Sequence, residues 1–150
     1  MDDNLDDLYQ DIILSHNKRP RNFGELDPHS HEAEGYNPLC GDRFKIYVQK
    51  TGDLIESVHF TGEGCAISKA SASIMTEAVK GLSIKELEEK VAEALELLTG
   101  KEEPDVAPFD LGEMAALIGV RKFPPRVKCA TLGWHTLEAA LKEEERISTE

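Results

Sequence analysis

The chain is 150 residues long, enough for one domain with a substantial core but not for two, so we expect a single domain over residues 1–150. Its composition, with 40% apolar and 31% charged residues, is that of a folded protein, and no apolar run approaches the roughly 20 residues that span a bilayer. The formal net charge of -12 argues against nucleic acid as a partner, because the phosphate backbone would be repelled.

The N-terminus and the cysteine content indicate the cellular compartment. Residues 1–8 carry four aspartates and no basic residue, unlike the basic start of a secretory signal, so we expect a cytoplasmic protein without a membrane partner. Cys40, Cys65 and Cys129 are odd in number and far apart, which does not suit a disulfide framework. They are therefore packing thiols, metal ligands or reactive thiols.

The first predicted element is an amphipathic helix. Its apolar residues follow the i, i+3, i+4, i+7 spacing of one helical face: Leu5, Leu8, Tyr9, Ile12 and Ile13. We expect this helix to end by about Asn17, because Arg19 precedes Pro20. The polar stretch from Pro20 to Glu34 is predicted to be an irregular arm.

A β-hairpin is predicted next. Apolar and polar side chains alternate over residues 43–49, and the alternation resumes less regularly over residues 55–60. The segment Thr51-Gly52-Asp53 between them has the composition of a turn. A weaker pattern predicts a short strand at about residues 31–36, which brings the sheet to three strands.

The apolar spacing becomes helical after Cys65. The first helix of this region is predicted to end at Gly81. The second opens with a capping box formed by Ser83 and Glu86 and ends at Gly100.

Two more helices are predicted in the C-terminal third. A polar loop over residues 101–108 leads to a short helix, opened by Asp110 and Glu113, which continues to Gly119. The last helix follows Phe123-Pro124-Pro125 and turns Trp134 toward the core.

Each cysteine lies at a junction between predicted elements. Cys40 lies in the loop Asn37-Pro38-Leu39-Cys40-Gly41-Asp42, and Cys65 and Cys129 each come just before a predicted helix. Free N–H groups and the helix dipole stabilise a thiolate at such a position. This context favours reactive thiols or metal ligands, with a packing role as the alternative for any one cysteine.

The cysteine spacing alone does not establish a metal site, because no C-x-x-C pair is present. Asp42, two residues after Cys40, can add an oxygen ligand. Three cysteines and one aspartate are enough for tetrahedral zinc. The alternative for Asp42 is a turn residue that caps the hairpin.

Each cysteine lies in a distinctive segment: Asn37-Pro38-Leu39-Cys40-Gly41-Asp42, Gly62-Glu63-Gly64-Cys65-Ala66-Ile67-Ser68-Lys69-Ala70-Ser71 and Arg126-Val127-Lys128-Cys129. Together these three segments resemble the cysteine motifs of the NifU/IscU-like proteins of iron-sulfur cluster assembly. The likeness extends from about Leu5 to Leu141. Within that family the chain is closer to the SufU-type branch, because the segment between Cys65 and Cys129 is long and Lys128 stands where scaffold-type members have His.

The resemblance implies both a fold and a function. The fold is α+β, a small three-stranded antiparallel sheet packed by about five helices, with the cysteines at one exposed end. SufU-like proteins bind zinc through three cysteines and the aspartate, here Cys40, Cys65, Cys129 and Asp42. They take persulfide sulfur from a SufS-type cysteine desulfurase, as sulfur carriers and desulfurase activators rather than stand-alone enzymes. A downstream iron-sulfur scaffold or an apo-protein is the candidate recipient of that sulfur.

In this hypothesis Cys40 is the sulfur acceptor, because it lies on a glycine-flanked loop, while Cys65, Cys129 and Asp42 hold zinc. One alternative is a scaffold on which a [2Fe-2S] cluster is assembled by the same three cysteines with Asp42 or an external ligand, and is then transferred. Lys128 counts against it, because an ammonium group is not a ligand. The other alternative is a helical interaction module whose zinc is purely structural.

Two basic residues near Cys129 and the five histidines were also considered for a role at the site. Arg126 and Lys128 flank the third cysteine, where they either offset the charge of the site or are simply solvated. The histidines match no ligand position of the family and are assigned no metal role: His16, His29, His31, His59 and His135.

Overall fold

The computed structural model describes residues 3–100, 112–142 and 146–148. Within them lie four α-helices: α1 Asp3–Lys18, α2 Ala66–Val79, α3 Ile84–Thr99 and α4 Pro124–Leu141. A 3₁₀ helix, Gly112–Lys122, precedes α4. The strands are β1 His31–Asn37, β2 Asp42–Thr51, β3 Leu54–Glu63 and β4 Arg146–Ser148. The predicted α+β class, with about five helices, is confirmed.

The sheet has the strand order β3-β2-β1-β4. β1, β2 and β3 are antiparallel, as predicted, and the β2–β3 turn contains Gly52 at φ 61°, a conformation that glycine adopts without strain. The short strand β4 is an addition to the prediction and pairs in parallel with β1. At the far end of β1 and β2, Asn37 is the register partner of Asp42.

The helix predictions before residue 101 hold with small changes. α1 ends at Lys18, one residue later than expected, and the capping box of Ser83 and Glu86 at α3 is present. Leu8, which belongs to the predicted apolar face of α1, is 52% exposed. In the part of the chain that is described, no helix has the length and apolar character needed to cross a membrane.

The short helix after the polar loop is 3₁₀ rather than α, and it is longer than predicted. It runs from Gly112 to Lys122, although 3₁₀ helices longer than a few residues are uncommon. Because the segment packs against all four α-helices, consecutive side chains are buried over residues 114–117 rather than along one α-helical stripe. The predicted cap Asp110 and the loop of residues 101–108 lie outside the described residues.

The core lies between the sheet and the helices. α4 packs against β1 and β2, and α2 packs against β3. The largest fully buried side chains include Trp134, Phe44, Phe60 and Met75. A Cβ atom on Gly35 would overlap Oγ1 of Thr136, so the glycine allows α4 to lie directly on β1. This close approach places the beginning of α4 beside the end of β1.

Candidate metal and thiol site

The three cysteine segments meet where β1 ends, β2 begins and the N-terminal turns of α2 and α4 approach the sheet. Cys40 lies on the β1–β2 loop and is exposed. Cys65 lies between β3 and α2 and is half-buried, whereas Cys129 is in α4 and is fully buried. The tertiary fold therefore brings together thiols that are 25, 64 and 89 residues apart, with graded exposure to solvent.

The shortest thiol contact joins Cys40 and Cys129. Their sulfur atoms are 3.2 Å apart, with Cys129 as the donor. These two sulfurs and a carboxylate oxygen of Asp42 all lie within 4.8 Å of one another. The Cys65 thiol is outside this group of three and accepts a hydrogen bond from the backbone N–H of Ser68 at 3.4 Å.

Asp42 is fully buried, and other residues of the site hold its carboxylate. Oδ1 accepts the backbone N–H of Cys65 at 2.9 Å, and Oδ2 accepts the side-chain amide of Asn37 at 3.2 Å. Among the described residues, no lysine, arginine or histidine forms an ion pair with Asp42. Burial of a carboxylate is costly unless a cation or enough hydrogen bonds compensate it.

The two helix-associated cysteines are placed differently from one another. Cys65 is the N-cap residue of α2, as predicted. The prediction that Cys129 precedes the last helix is wrong, because α4 begins at Pro124 and Cys129 is its sixth residue. Proline is favoured in the first turn of a helix, which explains the early start. Cys129 therefore lies within α4, on the buried face of this helix, and its side chain is part of the site.

Charge at the site is unevenly distributed. Burial raises the pKa of the Cys129 thiol far above its usual range, and its hydrogen bond to Cys40 and the neighbouring Cys65 raise it further. Arg126 is exposed and interacts with all three cysteines, and attraction to Cys65 is the largest cause of the rise in its pKa. That Arg126 offsets thiolate charge at this site stays a prediction.

Gly64 is required by the close packing around Asp42. A Cβ atom at this position would lie 2.7 Å from Oδ1 of Asp42 and 2.5 Å from Oγ of Ser68. These distances are too short for non-bonded atoms, so a larger residue would displace the carboxylate. The glycine therefore shapes the site sterically rather than through an unusual backbone conformation.

Comparison with known proteins identifies the family. The family model for the NifU-like N-terminal domain matches residues 8–130. The chain belongs to this family. It is 46% identical over 142 residues to a zinc-dependent sulfurtransferase SufU of Bacillus subtilis, with 95% of each chain covered. It is 42% identical over 138 residues to an iron-sulfur cluster assembly scaffold protein IscU of Streptococcus pyogenes, with 92% of this chain and 85% of the relative covered.

A solved structure agrees with this assignment. The crystal structure of an iron-sulfur cluster assembly scaffold protein for the SUF system from Fervidobacterium islandicum superposes with a TM-score of 0.78. The two sequences are 36% identical, and the match covers 87% of this chain and 93% of the other. The resemblance of the three cysteine motifs to NifU/IscU-like proteins is thereby confirmed.

The donors at this site of the NifU-like domain suit a zinc ion. Zinc binds cysteine sulfur at about 2.3 Å and carboxylate oxygen at about 2.0–2.2 Å, so two ligands of one ion are at most about 4.6 Å apart. Cys40, Asp42 and Cys129 are already close to this limit, and Cys65 borders them. A cation would also compensate the buried carboxylate of Asp42.

Asn37 begins the first cysteine motif, and no role for it was predicted from the sequence. In the structure this residue is fully buried, and its amide contacts both Asp42 and Cys129. The available signal was its position as the first residue of an Asn-Pro turn, since asparagine side chains bond to nearby backbone in turns. Its contact with Cys129 could not have been read from local sequence, because the two residues are 92 positions apart.

Proposed function

We propose that this protein is a zinc-dependent sulfur acceptor in iron-sulfur cluster assembly, and that its sulfur comes from the persulfide of a SufS-type cysteine desulfurase. The residues that would hold zinc are Cys40, Asp42, Cys65 and Cys129. The observation that carries the proposal is the pairing of exposed Cys40 with buried Cys129 across 3.2 Å, beside a buried carboxylate. An exposed thiol can reach a partner, while its buried neighbours remain in place.

Zinc, when bound, keeps the coordinated thiols ionised at neutral pH and thus ready to act as nucleophiles. The chain itself supplies the geometry. Cys129 lies within α4 and Asp42 within the sheet, so both are held by regular structure, whereas Cys40 lies on a loop of four residues. Gly41 in this loop has φ 72° and open space around it, which permits a change of loop conformation.

The sulfur-transfer step is a thiol–persulfide exchange. The Cys40 thiolate attacks the terminal sulfur of the desulfurase persulfide, and a new S–S bond forms on Cys40. The S–S bond of the desulfurase persulfide breaks, and the desulfurase cysteine leaves as a thiolate. One sulfur atom is transferred, and the exchange needs no external oxidant or reductant. Arg126 lies where its positive charge can stabilise the thiolate of Cys40 before the attack and the persulfide after it.

The relatives support this choice over assembly of a [2Fe-2S] cluster on the chain. The relative named a zinc-dependent sulfurtransferase is 46% identical, and its length matches almost completely. Lys128, which precedes Cys129, adds no further metal ligand at the position where scaffold-type members have His. We also propose a single domain over residues 1–150 and a cytoplasmic location, where a SufS-type desulfurase would be met.

The test combines metal analysis with desulfurase stimulation. We expect about one zinc per purified chain, as one tetrahedral site predicts. We also expect faster sulfide release by a SufS-type desulfurase when the wild type is added. Cys40→Ala should abolish the stimulation and the gain of one sulfur atom that mass spectrometry detects on the wild type. The matched control is Thr51→Ala, an exposed change at the opposite end of β2, which should behave as the wild type.

Two results would contradict the proposal. Unchanged stimulation by Cys40→Ala would remove Cys40 from the role of acceptor. Iron with acid-labile sulfide in anaerobically reconstituted protein, without stimulation of the desulfurase, would instead establish the scaffold function.

A further inference from the structure

Asn37 connects all the parts of the candidate site. It is the last residue of β1, is fully buried and stands opposite Asp42 in the sheet register. Its side-chain nitrogen donates to Oδ2 of Asp42 at 3.2 Å and contacts the sulfur of Cys129 at 3.6 Å. Its backbone and side chain also hold the loop that carries Cys40.

The contacts to the loop come from the two oxygens of Asn37. The backbone oxygen accepts the N–H of Cys40 at 3.3 Å and that of Gly41 at 2.9 Å. The side-chain oxygen accepts the N–H of Leu39 at 3.3 Å. One residue thus contacts three consecutive loop residues and two potential ligands from other segments.

The orientation of the amide follows from the chemistry of its neighbours. A carboxylate only accepts hydrogen bonds, so the nitrogen of Asn37 must face Asp42. The N–H of Leu39 only donates, so the oxygen must face the loop. Both ends of the amide are satisfied in this orientation, and the reversed one would set oxygen against oxygen.

We propose that Asn37 is a positioning residue that holds Asp42 and Cys129 in the geometry required for metal binding and anchors the base of the loop that carries Cys40. Asp42 is held from both sides, by Asn37 on Oδ2 and by the N–H of Cys65 on Oδ1, which fixes the plane of the carboxylate. Each carboxylate oxygen keeps a second lone pair for a metal ion. This inference rests on the proposed function, because it concerns the residues that would hold zinc.

The experiment measures metal binding rather than sulfur transfer. Zinc affinity is determined by competition with a chromophoric chelator, and Co²⁺ is used as a spectroscopic probe of ligand geometry. Removal of a residue that orients metal ligands typically costs 10–100-fold in affinity. We expect Asn37→Ala and Asn37→Asp to weaken zinc binding by about this factor, and we expect both to alter the visible bands of the Co²⁺ form.

The matched control is Thr76→Val. Thr76 is also fully buried and makes side-chain hydrogen bonds with Ser73, Arg21 and Asn22, but it lies in the C-terminal half of α2. This substitution should lower the stability of the metal-free protein without changing the Co²⁺ spectrum. The comparison with Thr76→Val therefore shows whether Asn37→Ala only lowers the stability of the protein or also changes the orientation of the metal ligands.

A double-mutant cycle tests whether Asn37 acts through Asp42. In an Asp42→Ala background, Asn37→Ala should lower zinc affinity much less than it does in the wild type, because the carboxylate that it orients is absent. An equal effect in both backgrounds would overturn the assignment.

The remaining outcomes are equally decisive. Wild-type zinc affinity and an unchanged Co²⁺ spectrum in Asn37→Ala would overturn the role of Asn37 and leave the proposed function standing. Equal losses in Asn37→Ala and Thr76→Val would also overturn it, since only stability would then be involved. A wild type that binds neither ion through thiolates would overturn both proposals.

Discussion

The sulfur atoms of Cys40 and Cys129 lie 3.2 Å apart, yet one residue is exposed and the other is completely buried. This contrast arises because Cys40 is carried by the β1–β2 loop and Cys129 by the buried face of α4. Two neighbouring thiols therefore differ in access to reagents and partners. Cys65, at the start of α2, has intermediate exposure.

The first prediction concerns alkylation of the metal-free protein by iodoacetamide. We expect Cys40 to react first, Cys65 next and Cys129 last, because burial limits access and raises the pKa of the Cys129 thiol. Peptide mass spectrometry after timed quenching measures the order. Modification of Cys129 as fast as Cys40 under native conditions would contradict the described burial of α4.

The second prediction uses two glycines with different surroundings. Gly64→Ala should reduce zinc affinity, because the new Cβ atom would lie 2.7 Å from the Asp42 carboxylate and displace it. Disturbing the groups that orient a metal ligand typically costs about 10–100-fold in metal affinity, and we expect a loss of about this size. Chelator competition provides the measurement.

The control for this change is Gly119→Ala, at which a Cβ atom would have no neighbour within 4 Å. Its zinc affinity should equal that of the wild type. Equal affinities in Gly64→Ala and the wild type would show that the carboxylate is not a ligand or that it can move without cost.

The third prediction concerns His16, which is fully buried and joins three elements. Its Nδ1 lies 2.7 Å from Oγ of Ser73 in α2, and its Nε2 lies 3.0 Å from the carboxylate of Glu113 in the 3₁₀ helix. His16→Ala leaves a cavity and removes one of the two hydrogen-bond partners of the Ser73 hydroxyl, which keeps only the backbone N–H of Arg21. The free energy of unfolding should therefore fall by about 2–4 kcal/mol. Urea denaturation measures this change.

His135 offers a matched control for His16. It pairs with Glu138 one turn along α4, with 42% of its side chain exposed. His135→Ala should change the free energy of unfolding by less than about 0.5 kcal/mol. Similar losses in the two variants would show that the contacts of His16 do not hold α1 in place.

The fourth prediction concerns Glu86 in the capping box of α3. The backbone N–H of Ser83 is the main cause that lowers the pKa of this carboxyl from 4.5, and the Ser83 side chain adds to it. A lowered pKa in the folded state means that the ionised form stabilises the protein fully above pH 4.5. That contribution is lost as the pH falls through the folded-state pKa.

The measurement compares unfolding of the wild type with Glu86→Gln, which keeps an acceptor oxygen but cannot titrate. The wild type should be the more stable at neutral pH, and the difference should shrink as the pH is lowered through about 4 and below. A difference that does not change over this range would contradict the role assigned to the ionised carboxylate.

Much of the fold could be predicted because the signals are local. Alternation over β2, the capping box at Ser83 and the glycine turn between β2 and β3 each depend on residues only a few positions apart. The start of α4 shows the limit of this approach. Pro124 and Pro125 suit the first turn of a helix, yet Cys129 was expected outside it, because local pattern locates element boundaries poorly.

The sequence also could not show that residues 112–122 form a 3₁₀ helix rather than an α-helix, and the reason is different. Residues 114–117 are buried in succession, which requires apolar neighbours on several sides. Those neighbours come from all four α-helices, and α1, α2 and α3 precede the segment by more than ten residues. Local propensity is overridden by such packing, so periodicity indicates a helix without deciding its geometry.

The sequence alone was enough to predict the three antiparallel strands, the helices before residue 101, the three cysteine motifs and the family that they resemble, because each of these depends on residues close together in the chain. Only the tertiary structure decided which atoms share the site. The approach of α4 to β1 at Gly35 and Thr136 brings Cys129 beside Asn37. It also separates an exposed thiol from a buried one. Such proximity depends on how side chains pack between distant segments, and no local pattern encodes that distance.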